Sequence, residues 1–283
     1  MDTALAAVLF GLGGAVGWGA SNFFAAKATR EKNALVTVFT SQLILFLTMG
    51  LIALIFGLRI NLSWELAVFL AFNYLIFTLG LLISYKAYAI GPVSITSPIV
   101  GANSLIVVAV SVLVFGEVLR MNQWLGIVIL FVGLFAATYE KKKREKISLK
   151  SSGVFLAFVA LVLIGVGIAG FVYAIGQAGW ATAVLLGYFF TAFWVGLYLT
   201  LKSQIKRLHF TQSLAGLTVF QLLGTVSVSV GVERTLAALV VPVSSVAPLV
   251  TSLMGLILFH EKIFRYKLLG VVLIVAGRVV ISL

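Results

Sequence analysis

Long apolar runs alternate with short charged clusters along this chain, and the runs recur at one length. They predict ten membrane spans, at about 4–26, 34–57, 64–86, 92–115, 122–139, 153–175, 180–201, 212–232, 237–259 and 266–282. A helix needs roughly 20 apolar residues to cross the hydrocarbon core, whereas a membrane barrel shows short alternating segments. The expected fold class is therefore all-α integral membrane. The one strongly polar run, Glu140-Lys141-Lys142-Lys143-Arg144-Glu145-Lys146, closes with Ser151-Ser152-Gly153 and reads as a linker between two groups of five spans.

The two groups repeat one pattern. The stretch Pro98–Gly133 recurs 144 residues later as Pro242–Gly277. Under that gapless shift Pro98 meets Pro242, Phe115 meets Phe259 and Glu117 meets Glu261. Leu125-Gly126 meets Leu269-Gly270, and Gly133 meets Gly277. Aliphatic matches mean little in so apolar a chain, so the aligned Pro, Glu and Gly carry the repeat. The expected organisation is a five-helix repeat at 1–139, a basic linker at 140–152 and a second repeat at 153–283. An odd number of spans per repeat makes the second copy enter the membrane in the opposite direction, the inverted arrangement common in secondary transporters.

Composition agrees with the pattern: 62% of the 283 residues are hydrophobic and 10% charged, with a mean hydropathy of +1.19, far from soluble proteins. The net charge of +12 is not a nucleic-acid footprint, because Lys and Arg lie in loops between spans. Counted by side, 16 fall with the linker and 3 with the termini, Arg278 inside the last span being left out. The positive-inside rule then puts the linker in the cytoplasm and both termini outside, in a multi-pass plasma-membrane protein. The absence of cysteine excludes disulfides and thiolate metal sites. The first span lacks a basic n-region and reads as retained rather than as a signal peptide.

Candidate chemistry is sparse. Gly13-x-x-x-Gly17 suits a helix-packing face, while Trp18, Ser21 and Asn22 follow on the same span, where a polar amide should face protein or a water-filled cavity. The fourth span opens with Gly91-Pro92-Val93-Ser94-Ile95-Thr96-Ser97-Pro98 and continues through Asn103; its counterpart carries Pro242, Ser244, Ser245 and Pro248. Proline removes a helical hydrogen bond, and the freed carbonyl needs a partner in lipid. Interrupted helices at matching positions in two halves point to a transporter's binding site, although kinks patched by neighbouring hydroxyls give the same pattern. Tyr85 and Tyr88 share a helix face and either stack on a substrate or sit in an interfacial belt. Glu117 and Glu261 end equivalent spans and are expected to brace the turns that follow them. Gln42, Asn73, Tyr173, Gln177, Tyr188 and Gln221 are further polar groups open to facing a cavity, each by itself read first as a helix–helix hydrogen bonder. His209 and His260 make no metal spacing, no catalytic constellation can be assembled, and no Walker pattern exists. No cofactor, metal or enzymatic activity is expected.

The chain resembles the EamA-type members of the drug/metabolite transporter superfamily. The matching residues are Gly17-Trp18-Gly19-Ala20-Ser21-Asn22-Phe23, Tyr85-x-Ala87-x-x-x-Gly91-Pro92-Val93, and the endings Phe115-Gly116-Glu117 and Phe259-His260-Glu261. The second repeat departs from the pattern in lacking a tryptophan around Ile164–Phe171 and in carrying His260 where the first copy has Gly116. The resemblance implies a secondary transporter of small organic metabolites, such as amino acids, often exporting them, with its pathway lined by the first, third and fourth spans of each half. The expected substrate-binding residues are Trp18, Asn22, Tyr85, Tyr88, Pro98, Asn103, Pro242, Ser244 and Ser245. The expected mechanism is alternating access, in a monomer or homodimer whose partners are the metabolite and the lipid bilayer. A channel or a lipid flippase is the alternative reading.

Overall fold

The computed structural model describes residues 3–103, 105–106, 109–110, 113, 121–138, 152–202, 210–234, 240, 243–244, 246–261 and 265–282. These form ten helices: α1 (Thr3–Glu31), α2 (Ala34–Ile55), α3 (Trp64–Ile90), α4 (Val93–Gly101), α5 (Met121–Thr138), α6 (Ser152–Ala178), α7 (Trp180–Leu201), α8 (Gln212–Arg234), α9 (Ala247–Leu258) and α10 (Arg265–Ser282). No strand occurs among the described residues. Six helices (α1, α2, α3, α6, α7 and α8) are long and apolar enough to cross a membrane.

Boundaries follow local chemistry. Asn33 caps α2 by accepting from the Val36 amide at 2.9 Å, and Ser63 caps α3 from Leu66 at 3.2 Å. Such caps satisfy amides that have no intrahelical acceptor. Gly179, at φ 82°, makes the turn between α6 and α7, a conformation glycine adopts without steric cost. Several helices outlast their apolar runs by a turn; α1 continues through Lys27 and Arg30 to Glu31.

Each helix packs against a partner: α1 on α8, α3 on α6, α2 on α7, α4 on α9 and α5 on α10. Glycines set how closely they approach. A Cβ on Gly17 would lie 2.5 Å from the Gly224 Cα; Gly231 faces Phe10 and Gly216 faces Phe24, so α1 and α8 run antiparallel. Gly80 against Ile164 and Gly167 against Phe77 make the same antiparallel crossing between α3 and α6. At the α5–α10 crossing the contacts are reciprocal. Gly133 abuts the Ile274 nitrogen and Gly270 carbonyl, and Gly277 abuts the Leu130 nitrogen and Gly126 carbonyl. At α2–α7, Gly50 faces Leu185 and Gly196 faces Phe39.

The expected fourth span is interrupted. Helix α4 stops at Gly101, a turn at Ala102–Asn103 follows, and helical residues resume at Leu105. Pro98 lies inside α4. It lacks the N–H that would bond the Ser94 carbonyl, and the Ser252 hydroxyl from α9 donates to that carbonyl at 2.8 Å. The linker expected at 140–152 lies, up to 151, outside the described residues.

Candidate functional site

Two polar regions stand out inside the apolar bundle. The first is a cluster of hydroxyls and amides among α1, α2, α3, α4, α7 and α8. Trp18 donates its indole N–H to Thr225 Oγ1 at 3.2 Å. The Tyr188 hydroxyl approaches the same Thr225 without completing a hydrogen bond, and lies within electrostatic reach of Tyr85 and Tyr74. Tyr85 and Tyr88 are buried, their rings 6.4 Å apart. The Tyr88 hydroxyl turns toward Ser84 and Ser97, and Ser97 Oγ completes no bond. Gln42 Nε2 and Gln221 Oε1 are likewise buried without partners. A buried polar atom left unpaired costs about 1–3 kcal/mol, and such atoms stand on α2, α4, α7 and α8, as they also do at Thr29 and Thr40.

Several expected site residues belong to this region. Trp18, Tyr85 and Tyr88 are brought together through Thr225 and Tyr188, and Asn22 lies half-buried one turn beyond Trp18 on α1. Others sit elsewhere. Asn103 donates its amide back to the Val100 carbonyl at 3.0 Å, and its own carbonyl rests against Gly165 of α6. Ser244 is buried with its Cβ against Gly14, and Pro98 acts through the carbonyl it frees. Pro242 and Ser245 lie outside the described residues. Sequence reasoning misses Thr225, which has no distinguishing neighbours, and for Tyr188, Gln42 and Gln221 it leaves a cavity-facing role open beside the helix–helix bond it favours. Such a bond does hold for Asn73, which donates to the Gly167 carbonyl at 3.0 Å.

The second region lies at one end of the bundle, where the ends of α1, α3 and α9 meet the starts of α4, α6 and α8. Glu261 leaves its own turn and caps α4: its carboxylate accepts from the Val93 amide at 2.8 Å, the Ser94 amide at 2.9 Å and the Ser94 hydroxyl. Arg30 reaches across from α1, donating to the carbonyls of Ala89, Tyr88 and Gly91 at 3.0, 3.2 and 3.4 Å. Its guanidinium lies 3.8 Å from Glu261 and 4.2 Å over the Phe259 ring, and Phe259 packs on Phe23 at 4.4 Å. Nearby, Ser213 donates to Glu31 at 2.6 Å, and Gly91 touches Gly153. The opposite end holds a recess of about 670 Å³ lined by residues of the α2–α3 loop, Glu65, Phe69, Tyr173 and Gln177. Among the described residues no group of His, Asp and Glu could hold a metal ion.

Paired helices, six of them long and apolar enough to cross a membrane, with buried polar side chains between them, define a multi-pass helical membrane protein. Residues 5–139 match the model of the EamA-like transporter family, and the chain belongs to that family, which is part of the drug/metabolite transporter superfamily. It is 30% identical over 134 residues to an uncharacterized protein of Methanocaldococcus jannaschii, an alignment covering 47% of this chain and 95% of that protein. A solved crystal structure aligns over 98% of both chains with a TM-score of 0.67 at 17% identity, a likeness of fold.

Proposed function

We propose that this membrane transporter carries a small organic metabolite, an amino acid or related compound, by alternating access of two inverted five-helix repeats, and that it works in export. The observation that carries this reading is the buried centre: Trp18 bonds Thr225, Tyr188 lies by Thr225 and Tyr85, Tyr88 turns toward Ser97, and Ser97 and Tyr188 complete no bond of their own. Polar groups at membrane depth are costly and mark pathways. The repeats, 1–139 and 153–283 around the linker at 140–152, are supported by the reciprocal glycine contacts. Gly133 and Gly277 swap partners under the 144-residue shift of the sequence, and Gly50 and Gly196 do so under a shift two residues longer. A pair of antiparallel helices exchanging identical contacts is what a twofold axis across them produces. The curated relative, almost all of which aligns to about half of this chain, supports the same unit. The charge count favours a plasma-membrane orientation with the linker and the Arg30–Glu261 end in the cytoplasm and both termini outside.

Tyr85, Tyr88, Tyr188 and Trp18 supply aromatic surface, and Ser97, Thr225, Gln42 and Gln221 supply neutral donors and acceptors. Asn22 and Ser244 complete the candidate set, with Pro98 and Pro242 acting on backbone groups. Counterflow in proteoliposomes against amino acids, amines, sugars and nucleosides tests the reading. A carrier gives saturable exchange with at least one class, and Trp18→Phe lowers it about tenfold by removing a bond to Thr225 worth roughly 1.4 kcal/mol. Flux that never saturates would identify a channel instead.

A further inference from the structure

The end of the bundle held by Glu261 is built unlike any other helix junction among the described residues. Helix α9 ends at Leu258, and His260 follows in the left-handed region at φ 52°. That conformation costs a residue bearing a Cβ roughly 1–2 kcal/mol. It reverses the chain, so that the Glu261 amide returns to the Gly255 carbonyl at 3.3 Å while its carboxylate reaches the start of α4. Gly255 leaves the space: a Cβ there would lie 2.9 Å from Glu261 Oε2 and 2.8 Å from Val93. Pro92 precedes α4 and offers no side-chain cap, so the Val93 and Ser94 amides depend on the carboxylate. Among the described residues, every bond that the Glu261 carboxylate makes reaches from one group of five helices to the other. Arg30 adds charge to the same junction by filling the carbonyls at the end of α3, the end of a helix that attracts cations.

We propose that Glu261 is the positioning residue of the transport cycle. Its cap on α4 holds this end shut and keeps Ser97, one turn on, in the polar centre; opening the end requires the carboxylate to leave. Arg30 restrains the carboxylate in the closed state. This assignment rests on the carrier reading, because a gate matters only where access alternates. The bonds concerned are charge-assisted, about twice as strong as neutral ones, and they are lost together, which makes the two states discrete.

The chain contains no cysteine, so Ser97→Cys gives a single reporter for a membrane-impermeant maleimide applied to right-side-out and inside-out vesicles. Adding Glu261→Ala is expected to speed labelling about tenfold from the Arg30 end alone. Glu261→Gln, which keeps one acceptor oxygen, should fall between. Equal acceleration from both faces, or none from either, overturns the proposal. Because Glu261→Ala could simply fail to fold, a second variant keeps the carboxylate: Phe23→Cys with Phe259→Cys, bridged by a short bifunctional thiosulfonate. Bridging should abolish counterflow and reduction should restore it; undiminished exchange by the bridged protein overturns the proposal. If no solute shows counterflow in the unmodified protein, the carrier reading falls, while one-sided labelling still decides whether Glu261 holds the end closed.

Discussion

The α5–α10 and α4–α9 contacts join the same two groups of five helices and are held by opposite means. Between α5 and α10 each helix offers a glycine to the backbone of the other, and the contacts are the same read in either direction. Between α4 and α9 the contacts are polar and one-sided: Ser252 supports the Ser94 carbonyl, and Glu261 caps Val93 and Ser94. Glycine contacts resist separation evenly because they rest on close van der Waals approach, the main source of helix association in lipid. Hydrogen bonds to a helix terminus are few and directional, so they can be broken and remade as a set. The first contact suits a pivot and the second a gate.

The largest test of this contrast fills the pivot. Gly133→Val and Gly277→Val place side-chain atoms within 2.5 and 2.6 Å of the opposing backbone nitrogens. Overpacking of this kind costs about 1–3 kcal/mol, and because backbone is the neighbour, both variants should fall at the upper end. Denaturant unfolding in detergent measures it. Gly50→Ala is the control: the nearest atom to its new Cβ is Leu185 Cδ1 at 3.9 Å, and its midpoint should match wild type. Equal loss in all three would mean that the α5–α10 glycines are not special.

At the gate side, Ser252→Ala strands the carbonyl freed by Pro98. Expected destabilisation is about 1–3 kcal/mol, less than the valines cause. Pro98→Ala restores the missing N–H, so the double variant should recover part of what Ser252→Ala lost. Simple additivity in that cycle would show that Ser252 does not serve the proline.

These contacts also show what the sequence could and could not reveal. Apolar run length is enough to place helices, because lipid leaves few alternatives to them, and the spans at 34–57 and 180–201 fall within two residues of α2 and α7. Pro98 signals an unpaired carbonyl at Ser94, but nothing in the local sequence says that Ser252, 158 residues beyond Ser94, answers it. Glu261 is legible as a residue that ends a helix; that it caps α4 rather than its own turn depends on the tertiary crossing of α4 and α9. Trp18, Tyr85 and Tyr88 are visible as aromatics near polar neighbours. Thr225 is not, since one threonine on an apolar helix ordinarily bonds back to its own backbone.

His260→Gly should act in the stabilising direction. The left-handed turn at φ 52° is free of penalty for glycine, which the aligned position of the first copy already carries as Gly116. A gain of about 1 kcal/mol is expected, read from the same unfolding midpoint. The side chain is exposed, which favours the full gain. No change, or a loss, would show that histidine is held there by interactions of its own.

The smallest effects separate a helix clip from a site. Asn73 is satisfied, bonding to Gly167 between α3 and α6, so Asn73→Leu should cost about 0.6 kcal/mol, the usual size of such a bond in a membrane protein. Tyr188 is equally buried, but its hydroxyl completes no bond. Removing it in Tyr188→Phe should cost nothing and even stabilise slightly, because an unpaired buried hydroxyl is itself a penalty. Transport should move the other way, unchanged in Asn73→Leu and reduced in Tyr188→Phe. A protein keeps a costly unpaired group only where something outside the fold repays it, so a stability loss in Tyr188→Phe with transport intact would make that hydroxyl one more clip and take Tyr188 out of the polar centre.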